Sequence, residues 1–181
     1  PRLADNVKQA VGVIKRSGDH LLSLIEGTLD IARIENGKLT LEVKPVRLGD
    51  LLQQITGLIE HQAQAKHLTF VADIDPSLPE YVRADERRVR QILLNVVGNA
   101  VKFTTVGQVT LKVRYAREIA LIEVTDTGPG IAPAEVEKIF EPFARGSSAA
   151  GQSLGGACLA LTICTMLTDL KGGKISVPSE V

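Results

Sequence analysis

The stretch DERRVRQILLNVVGNAVKFT, residues 85–104, predicts a single helix with two different faces. Apolar side chains recur along it at the three- and four-residue spacing of a buried helical stripe. Asp85 suits the N-cap position, and Glu86 adds an acidic side chain to the first turn. A second, polar stripe runs beside the apolar one on neighbouring turns and comprises Gln91, Asn95, Asn99 and Lys102.

The polar stripe conflicts with helix propensity, because asparagine is a poor helix former and two asparagines lie in the middle of the helix. Local rules broken in this way mark candidate functional sites. Amide oxygens and the Lys102 ammonium on one face could hold a cation and the phosphates that it bridges. Mg²⁺ prefers oxygen ligands and keeps several waters, so one or two side-chain oxygens would suffice. The alternative is a solvated polar edge of an amphipathic helix, which is a common pattern.

A second motif, DTGPGI at residues 126–131, follows a predicted strand. A carboxylate at a strand end with two nearby glycines lets the backbone approach a flat ligand closely. Asp126 could accept a hydrogen bond from an exocyclic amine such as that of adenine. A charge-assisted bond of this kind contributes about 1.5–3 kcal/mol when water is excluded. The alternative is a Pro-Gly turn that leads out of a hairpin.

The composition narrows the classes of protein that the chain can belong to. With 21 basic and 21 acidic residues the chain lacks the basic excess of a nucleic-acid or membrane-surface binder. It contains no apolar run of membrane-spanning length and no signal-peptide pattern. Cys158 and Cys164 lie on one predicted helix, and their spacing favours reduced thiols in the cytosol over a disulfide or metal pair. The start at Pro1 without Met suggests a fragment of a longer protein.

A long amphipathic helix is predicted over residues 3–36, with a heptad-like apolar stripe and a stop at Asn36-Gly37. It cannot cover its own apolar face, so it needs partner helices. After residue 37 the pattern is that of a mixed α/β layer structure with helices on one side of a largely antiparallel sheet. The predicted strands are 39–46, 68–74, 108–115, 119–125 and one beginning at 174–177. The further predicted helices are 48–64, 133–139 and 157–170. The segment 141–156 is expected to be mobile.

The two motifs together resemble those of a known family. QILLNVVGNAVKFT, residues 91–104, resembles the N box and DTGPGI the first glycine box of the sensor histidine kinases, which belong to the ATPase superfamily that includes gyrase, Hsp90 and MutL. IFEPFARGS (139–147) is similar to the F box, and GGACLALTIC (155–164) is similar to the second glycine box. SGDHLLSLIEGTLDIARIENGKL (17–39) resembles the second helix of the dimerisation bundle.

The resemblance implies an α+β fold: a two-layer ATP-binding sandwich of the Bergerat type with a mixed, mostly antiparallel sheet, preceded by a bundle-forming helix. Residues 1–37 would be a partial dimerisation and phosphotransfer region, and 38–181 the catalytic domain without its last strand. Asn99 would bind Mg²⁺, Asp126 would bind adenine, and Asn95 and Lys102 would approach the phosphates of ATP. The other nucleotide-binding residues implied are Gly128, Gly130, Ile131, Phe140, Phe143, Gly155, Gly156, Leu161 and Thr162.

Two departures from the family pattern matter for activity. The phosphorylated histidine of the family has an acidic residue after it, whereas His20 precedes two leucines, and His61 and His67 lack the motif as well. The fragment is therefore not expected to phosphorylate itself. Cys158 and Ala160 occupy glycine positions of the second glycine box, where their side chains are expected to weaken nucleotide binding or misorder the lid.

The resemblance thus implies the kinase core of a two-component sensor, which transfers the γ-phosphoryl group of ATP to a histidine outside the fragment for relay to a response-regulator receiver domain. Homodimerisation through residues 3–36 and a cytoplasmic location are expected, and an inner-membrane anchor in the parent protein stays open. One alternative is a degenerate kinase-like domain that serves as a dimerising or regulatory scaffold. Another is a hydrolysing ATPase, but those enzymes carry Glu at the position of Asn95 to activate water, which an amide cannot do.

Overall fold

The computed structural model of the chain describes residues 2–136, 138–141, 155–170 and 172–178. The chain divides into two compact units, Pro1–Leu39 and Thr40–Val181.

The first unit is a single long helix, α1, Arg2–Glu35, and this confirms the helix predicted over residues 3–36. Gly37 ends it in the left-handed region with φ of +64°, and the Asn36 side chain donates to the Ala32 carbonyl at 2.6 Å. Apolar side chains along one stripe are about half exposed or more: Val7, Val11, Ile14, Leu21, Leu22, Ile25 and Leu29.

The second unit is an α+β structure that confirms the expected fold class. Its elements are β1 (Lys44–Arg47), α2 (Leu48–Ala65), β2 (Thr69–Ile74), β3 (Tyr81–Ala84), α3 (Glu86–Phe103), β4 (Gln108–Ala116), β5 (Ile119–Asp126), α4 (Pro133–Val136), a 3-10 turn (Lys138–Phe140) and α5 (Gly155–Leu170).

The strands form a mixed arrangement that is mostly antiparallel. β1 pairs antiparallel with β3 as a two-stranded sheet. The larger sheet has the order β2-β4-β5, with β2 parallel to β4 and β4 antiparallel to β5. In the register of the β4–β5 hairpin, Val109 lies opposite Asp126 and Ala116 opposite Ile119.

The core lies between the helices α2 and α3 and one face of the larger sheet. Three alternate residues of β4 are fully buried, as a strand with one face on the core requires: Val109, Leu111 and Val113. The apolar stripes of α2 and α3 cover that face. The largest buried side chains of this core are Leu51, Leu52, Ile55, Ile59, Leu93, Val97, Val109, Leu111 and Val113.

Some predicted boundaries were wrong. The first strand runs over Lys44–Arg47 and not 39–46, because only these residues pair with β3, and proline is tolerated at position 45 because both strands of a two-stranded sheet are edges. The helix predicted over 133–139 ends at Val136 and is followed by a 3-10 turn. α5 begins at Gly155 and not at residue 157.

The strand predicted to begin at Lys174 is also wrong for the residues that the structure describes. Ile175 and Val177 are half-buried and alternate with exposed neighbours, so the sequence pattern is that of a strand. Residues 173–178 nevertheless have no strand assignment, because a strand requires a ladder of backbone hydrogen bonds as well as alternation.

Candidate functional site

Helix α3 carries the polar stripe and is fixed firmly at its N-terminus. The Asp85 side chain is its N-cap and accepts a hydrogen bond from the Arg88 backbone N–H at 3.1 Å. Its second carboxylate oxygen accepts from the Glu42 backbone N–H at 2.9 Å, and Asp85 is buried. The predicted cap is therefore confirmed, and it also joins α3 to the segment before β1.

Asn95 faces α5. Its side-chain N–H group lies 3.9 Å from the sulfur of Cys164, and the thiol lies 3.9 Å from the Ile92 carbonyl oxygen. Burial raises the pKa of the Cys164 thiol to about 12, although the bond from Asn95 opposes this shift. The thiol is therefore protonated and unreactive at neutral pH.

Asn99 lies one turn further along α3 and is half-buried. Its side-chain nitrogen is buried and has no hydrogen-bond partner among the described residues. A buried polar group without a partner is costly, and such a group points to a ligand or a water. Lys102, on the next turn, is exposed, and its ammonium lies 5.1 Å from the centre of the Phe103 ring.

Asp126, the last residue of β5, lies at the C-terminal end of α3. Its Oδ1 atom accepts hydrogen bonds from the Gly128 backbone N–H at 2.8 Å and from the Thr104 hydroxyl at 3.4 Å. Thr104 is fully buried and directly follows α3. The structure thus brings the carboxylate of the first glycine box to the helix end just beyond Asn99.

The glycine loop after Asp126 needs its glycines for two reasons. A Cβ atom at Gly128 would lie 2.5 Å from the Asp126 carboxylate oxygen, so any side chain there would displace that carboxylate. Gly130 has φ of +71°, in the left-handed region that favours glycine. Ile131, which follows, is half-buried.

A second contact ties this loop to the α3–β4 connection. The Thr127 hydroxyl oxygen accepts from the Gln108 backbone N–H at 3.0 Å. Gly107 makes this possible, because its φ is +115° and a Cβ atom there would lie only 2.1 Å from that hydroxyl oxygen. Thr104, Gly107 and Thr127 were not predicted as site residues. Thr104 ends the first motif and Thr127 lies within the second, which was a usable signal, and Gly107 lies three residues after the first motif.

Lys66 is a further residue that the sequence analysis missed. Its ammonium donates hydrogen bonds to the carbonyl oxygens of Val101, Lys102 and Thr104, at 2.7, 2.8 and 2.8 Å. Nothing in the sequence pairs it with α3, because it lies 35 residues or more before its acceptors.

The residues from the F box and second glycine box form a separate contact. The Thr162 hydroxyl on α5 donates to the Phe140 carbonyl oxygen at 2.8 Å, and Thr162 is buried. Phe140 and Leu161 are half-buried, and Gly155 and Gly156 are the first two residues of α5. Phe143 lies outside the described residues.

The backbone at the two altered glycine positions is helical. Cys158 and Ala160 lie within α5, so neither position has the left-handed backbone conformation that would disfavour a residue other than glycine. Alanine is in fact favoured over glycine within a helix. Weaker nucleotide binding stays a prediction, and it now rests only on crowding of the phosphates by these two side chains.

The donor set at α3 fits a magnesium ion held together with a nucleotide. Asn99 carries a neutral oxygen ligand beside its unpartnered nitrogen, and amide nitrogen and oxygen interchange by rotation about one bond. Among the described residues no three His, Cys, Asp or Glu side chains cluster as a metal site. An ion bound by Asn99 would therefore draw further ligands from phosphate and water, as Mg²⁺ commonly does.

Comparison with known proteins identifies the class. Residues 84–181 match the family described as histidine kinase-, DNA gyrase B-, and HSP90-like ATPase. The circadian input-output histidine kinase CikA of Synechococcus elongatus is 35% identical over 181 residues, covering 99% of this chain and 24% of CikA.

Two solved structures are similar in fold. Full-length ShkA in complex with AMPPNP has a TM-score of 0.74 and 37% identity, covering 91% of this chain and 34% of ShkA. Histidine kinase ThkA in complex with the response regulator TrrA has a TM-score of 0.65 and 23% identity, covering 92% of this chain and 45% of that one, and this likeness concerns the fold alone.

The fold is that of the ATPase domains of this family. The chain belongs to the histidine kinase-, DNA gyrase B- and HSP90-like ATPase family. The relatives it resembles at about 35% identity are sensor histidine kinases. It spans about a quarter of the length of its relative CikA. No helix in the described part of the chain combines the length and apolar character needed to cross a membrane.

Proposed function

We propose that this chain is the ATP-binding kinase core of a two-component sensor, which transfers the γ-phosphoryl group of ATP to a histidine on a bundle helix. The observation that carries the proposal is the cluster at the end of α3. There the carboxylate of Asp126 accepts from Thr104, the residue that follows α3, and Asn99, with its unpartnered amide nitrogen, lies five residues earlier in the chain. One group suits an adenine amine and the other a magnesium-bound phosphate.

The roles within the site follow from the chemistry of each side chain. Asp126 accepts the adenine amine, and Gly128 and Gly130 leave room for the ring. Asn99 holds the metal, which when bound neutralises phosphate charge, while Asn95 and Lys102 approach the phosphates. Phosphoryl transfer requires mainly the alignment of donor and acceptor, so the protein contributes position and electrostatics.

The remaining parts of the proposal concern the second glycine box, the long helix and the partners. The segment that closes over the triphosphate comprises Gly155, Gly156, Leu161 and Thr162, together with Ile131, Phe140 and Phe143.

Residues 1–37 act as the dimerisation helix and residues 38–181 as the catalytic domain. A receiver domain of a response regulator accepts the phosphoryl group next. A cytoplasmic location is proposed with it.

The experiment that tests this function separates binding from transfer. The chain is titrated with AMPPNP in the presence and absence of Mg²⁺, and then incubated with labelled ATP and a bundle domain of a related kinase that carries the acceptor histidine. Magnesium-dependent binding and transfer of label are expected. Weak or absent binding would contradict the proposal and favour the alternative of a degenerate scaffold with weakened nucleotide binding. Binding without transfer of label would contradict the kinase activity.

A further inference from the structure

Lys66 holds the C-terminal end of α3 from outside the helix. The last carbonyl groups of a helix have no partner within it, and a cation near them is favoured by the helix dipole. Here one ammonium donates to three such oxygens at 2.7–2.8 Å, those of residues 101, 102 and 104. All three donors of the ammonium are therefore used at one place.

The backbone around Lys66 fixes the direction of its side chain. Lys66 is the C-cap of α2, and the turn that follows it closes with hydrogen bonds from Leu68 N–H to the Ala63 carbonyl at 2.9 Å and from His67 N–H to the Gln64 carbonyl at 3.0 Å. His67 takes φ of +57°, which completes this Schellman turn. Because Ala63 and Leu68 are buried, the end of α2 cannot shift freely relative to the core.

Lys66 binds the backbone carbonyl of Thr104, and Thr104 is itself a residue of the site. The same Thr104 donates its hydroxyl to Asp126, and that carboxylate oxygen also accepts from Gly128. Lys66, Thr104, Asp126 and Gly128 thus form a continuous series of hydrogen bonds from the end of α2 to the glycine loop.

We propose that Lys66 is a positioning residue for base recognition, which acts through Thr104 to hold the Asp126 carboxylate where it accepts the amine of adenine. The inference rests on the proposed nucleotide-binding function and adds a specificity-determining residue to it. Adenine offers an amine at the position where guanine carries a carbonyl oxygen, which cannot donate to Asp126. Displacing Asp126 therefore weakens binding of adenine nucleotides selectively, whereas the phosphates are common to both.

The test compares ADP and GDP on Lys66→Met, with Lys112→Met as the matched control. Lys112 is an exposed lysine of β4 that lies 3.9 Å from Glu123 and has no contact with the site residues named above. With Mg²⁺ present, the ratio of the dissociation constants for GDP and ADP is expected to fall about fivefold or more in Lys66→Met and to stay within about twofold in Lys112→Met.

The ratio of the GDP and ADP dissociation constants distinguishes a positioning role of Lys66 from a role in stabilising the fold alone. If Lys66 only stabilised the fold, Lys66→Met would weaken ADP and GDP equally and leave the ratio unchanged, which would overturn the inference. In the Thr104→Val background, Lys66→Met is expected to change the ratio no further, because the connection is already broken. Lys66→Gln, a milder change, replaces Lys66→Met if the latter does not fold.

A measurement without nucleotide keeps this inference separate from the proposed function. The backbone amide of Gly128 donates to Asp126, so its NMR shift reports the position of the carboxylate. A shifted Gly128 resonance in Lys66→Met but not in Lys112→Met is expected. An unchanged resonance would overturn the role of Lys66 even if wild type bound ADP, whereas a shifted resonance with no nucleotide binding by wild type would contradict only the proposed function.

Discussion

At the scale of single residues, Asp126 is the side chain on which the proposed recognition of adenine depends. Its Oδ1 atom is held by Thr104 and Gly128, so the carboxylate is oriented before any ligand binds. Preorganised hydrogen-bonding groups avoid the cost of ordering at the moment of binding.

Asp126→Asn is expected to weaken binding of Mg²⁺–ADP by about 10- to 150-fold, the equivalent of a lost charge-assisted bond. The change replaces an acceptor oxygen with a donor that cannot pair with the adenine amine. Isothermal titration calorimetry measures it. Glu123→Gln, on the same strand but paired with Lys112, is the control and is expected to leave the affinity unchanged. Equal affinities of wild type and Asp126→Asn would contradict the assignment.

Cys164 gives a prediction about pH. Its pKa is raised from 9.0 to about 12 by burial, so the folded state keeps the proton while the unfolded state loses it above pH 9. The stability it contributes is therefore complete below pH 9 and is lost as pH rises toward 12. The free energy of unfolding should decline more steeply in wild type than in Cys164→Ala, by up to about 1.4 kcal/mol per pH unit. Urea titrations at pH 8, 9 and 10 measure this slope, and parallel curves would count against it.

At the scale of elements, the hairpin of β4 and β5 is joined by an unfavourable turn. Arg117 and Glu118 form the two-residue turn with φ of +51° and +65°, where asparagine and glycine are strongly preferred. Side chains other than glycine lose about 1–2 kcal/mol in this conformation.

Replacing Arg117-Glu118 with Asn-Gly is expected to raise the free energy of unfolding by about 1 kcal/mol or more, because the strain at both positions is relieved. The midpoint of urea unfolding measures the gain. Glu118→Val, which adds a branched side chain to the same conformation, is the opposite change and should lower the midpoint. A lower midpoint for Asn-Gly would mean that the turn residues make compensating contacts.

The helices and strands differ in how well their bounds could be predicted from the sequence. α3 was predicted from end to end, because its apolar period, cap and flanking loop residues agree with one another. The failures at residues 39–46 and 174–177 have one cause, because a strand exists only where it pairs with another strand. Alternation indicates a strand, but only pairing with β3 decides that β1 begins at Lys44. The bonds of Lys66 were beyond prediction for the same reason, since they join residues distant in sequence.

At the scale of the whole molecule, the exposed apolar stripe of α1 favours association between copies. Ile14 is 70% exposed and Val13, its neighbour on a different face of the helix, is 49% exposed. Ile14→Glu is expected to shift a dimer of the chain toward monomer at least about tenfold in dissociation constant, because it would bury an unpaired charge in the interface. Val13→Glu, outside the stripe, is the matched control.

Sedimentation equilibrium of the whole chain measures this shift. Wild type that sediments as a monomer at all concentrations would contradict dimerisation through this helix. Equal weakening by Ile14→Glu and Val13→Glu would place the contact on another face.

The register of the β4–β5 hairpin has a consequence for how the chain can change in length. Asp126 lies opposite Val109 on the core-facing side, and side chains on a strand alternate between sides. Shifting the pairing by one position would turn Asp126 to the opposite side of the sheet and away from Thr104. Without a β-bulge, insertions or deletions within the paired part of either strand therefore keep the carboxylate on its side of the sheet only when they come in even numbers. Parity thus limits the tolerated lengths of these two strands.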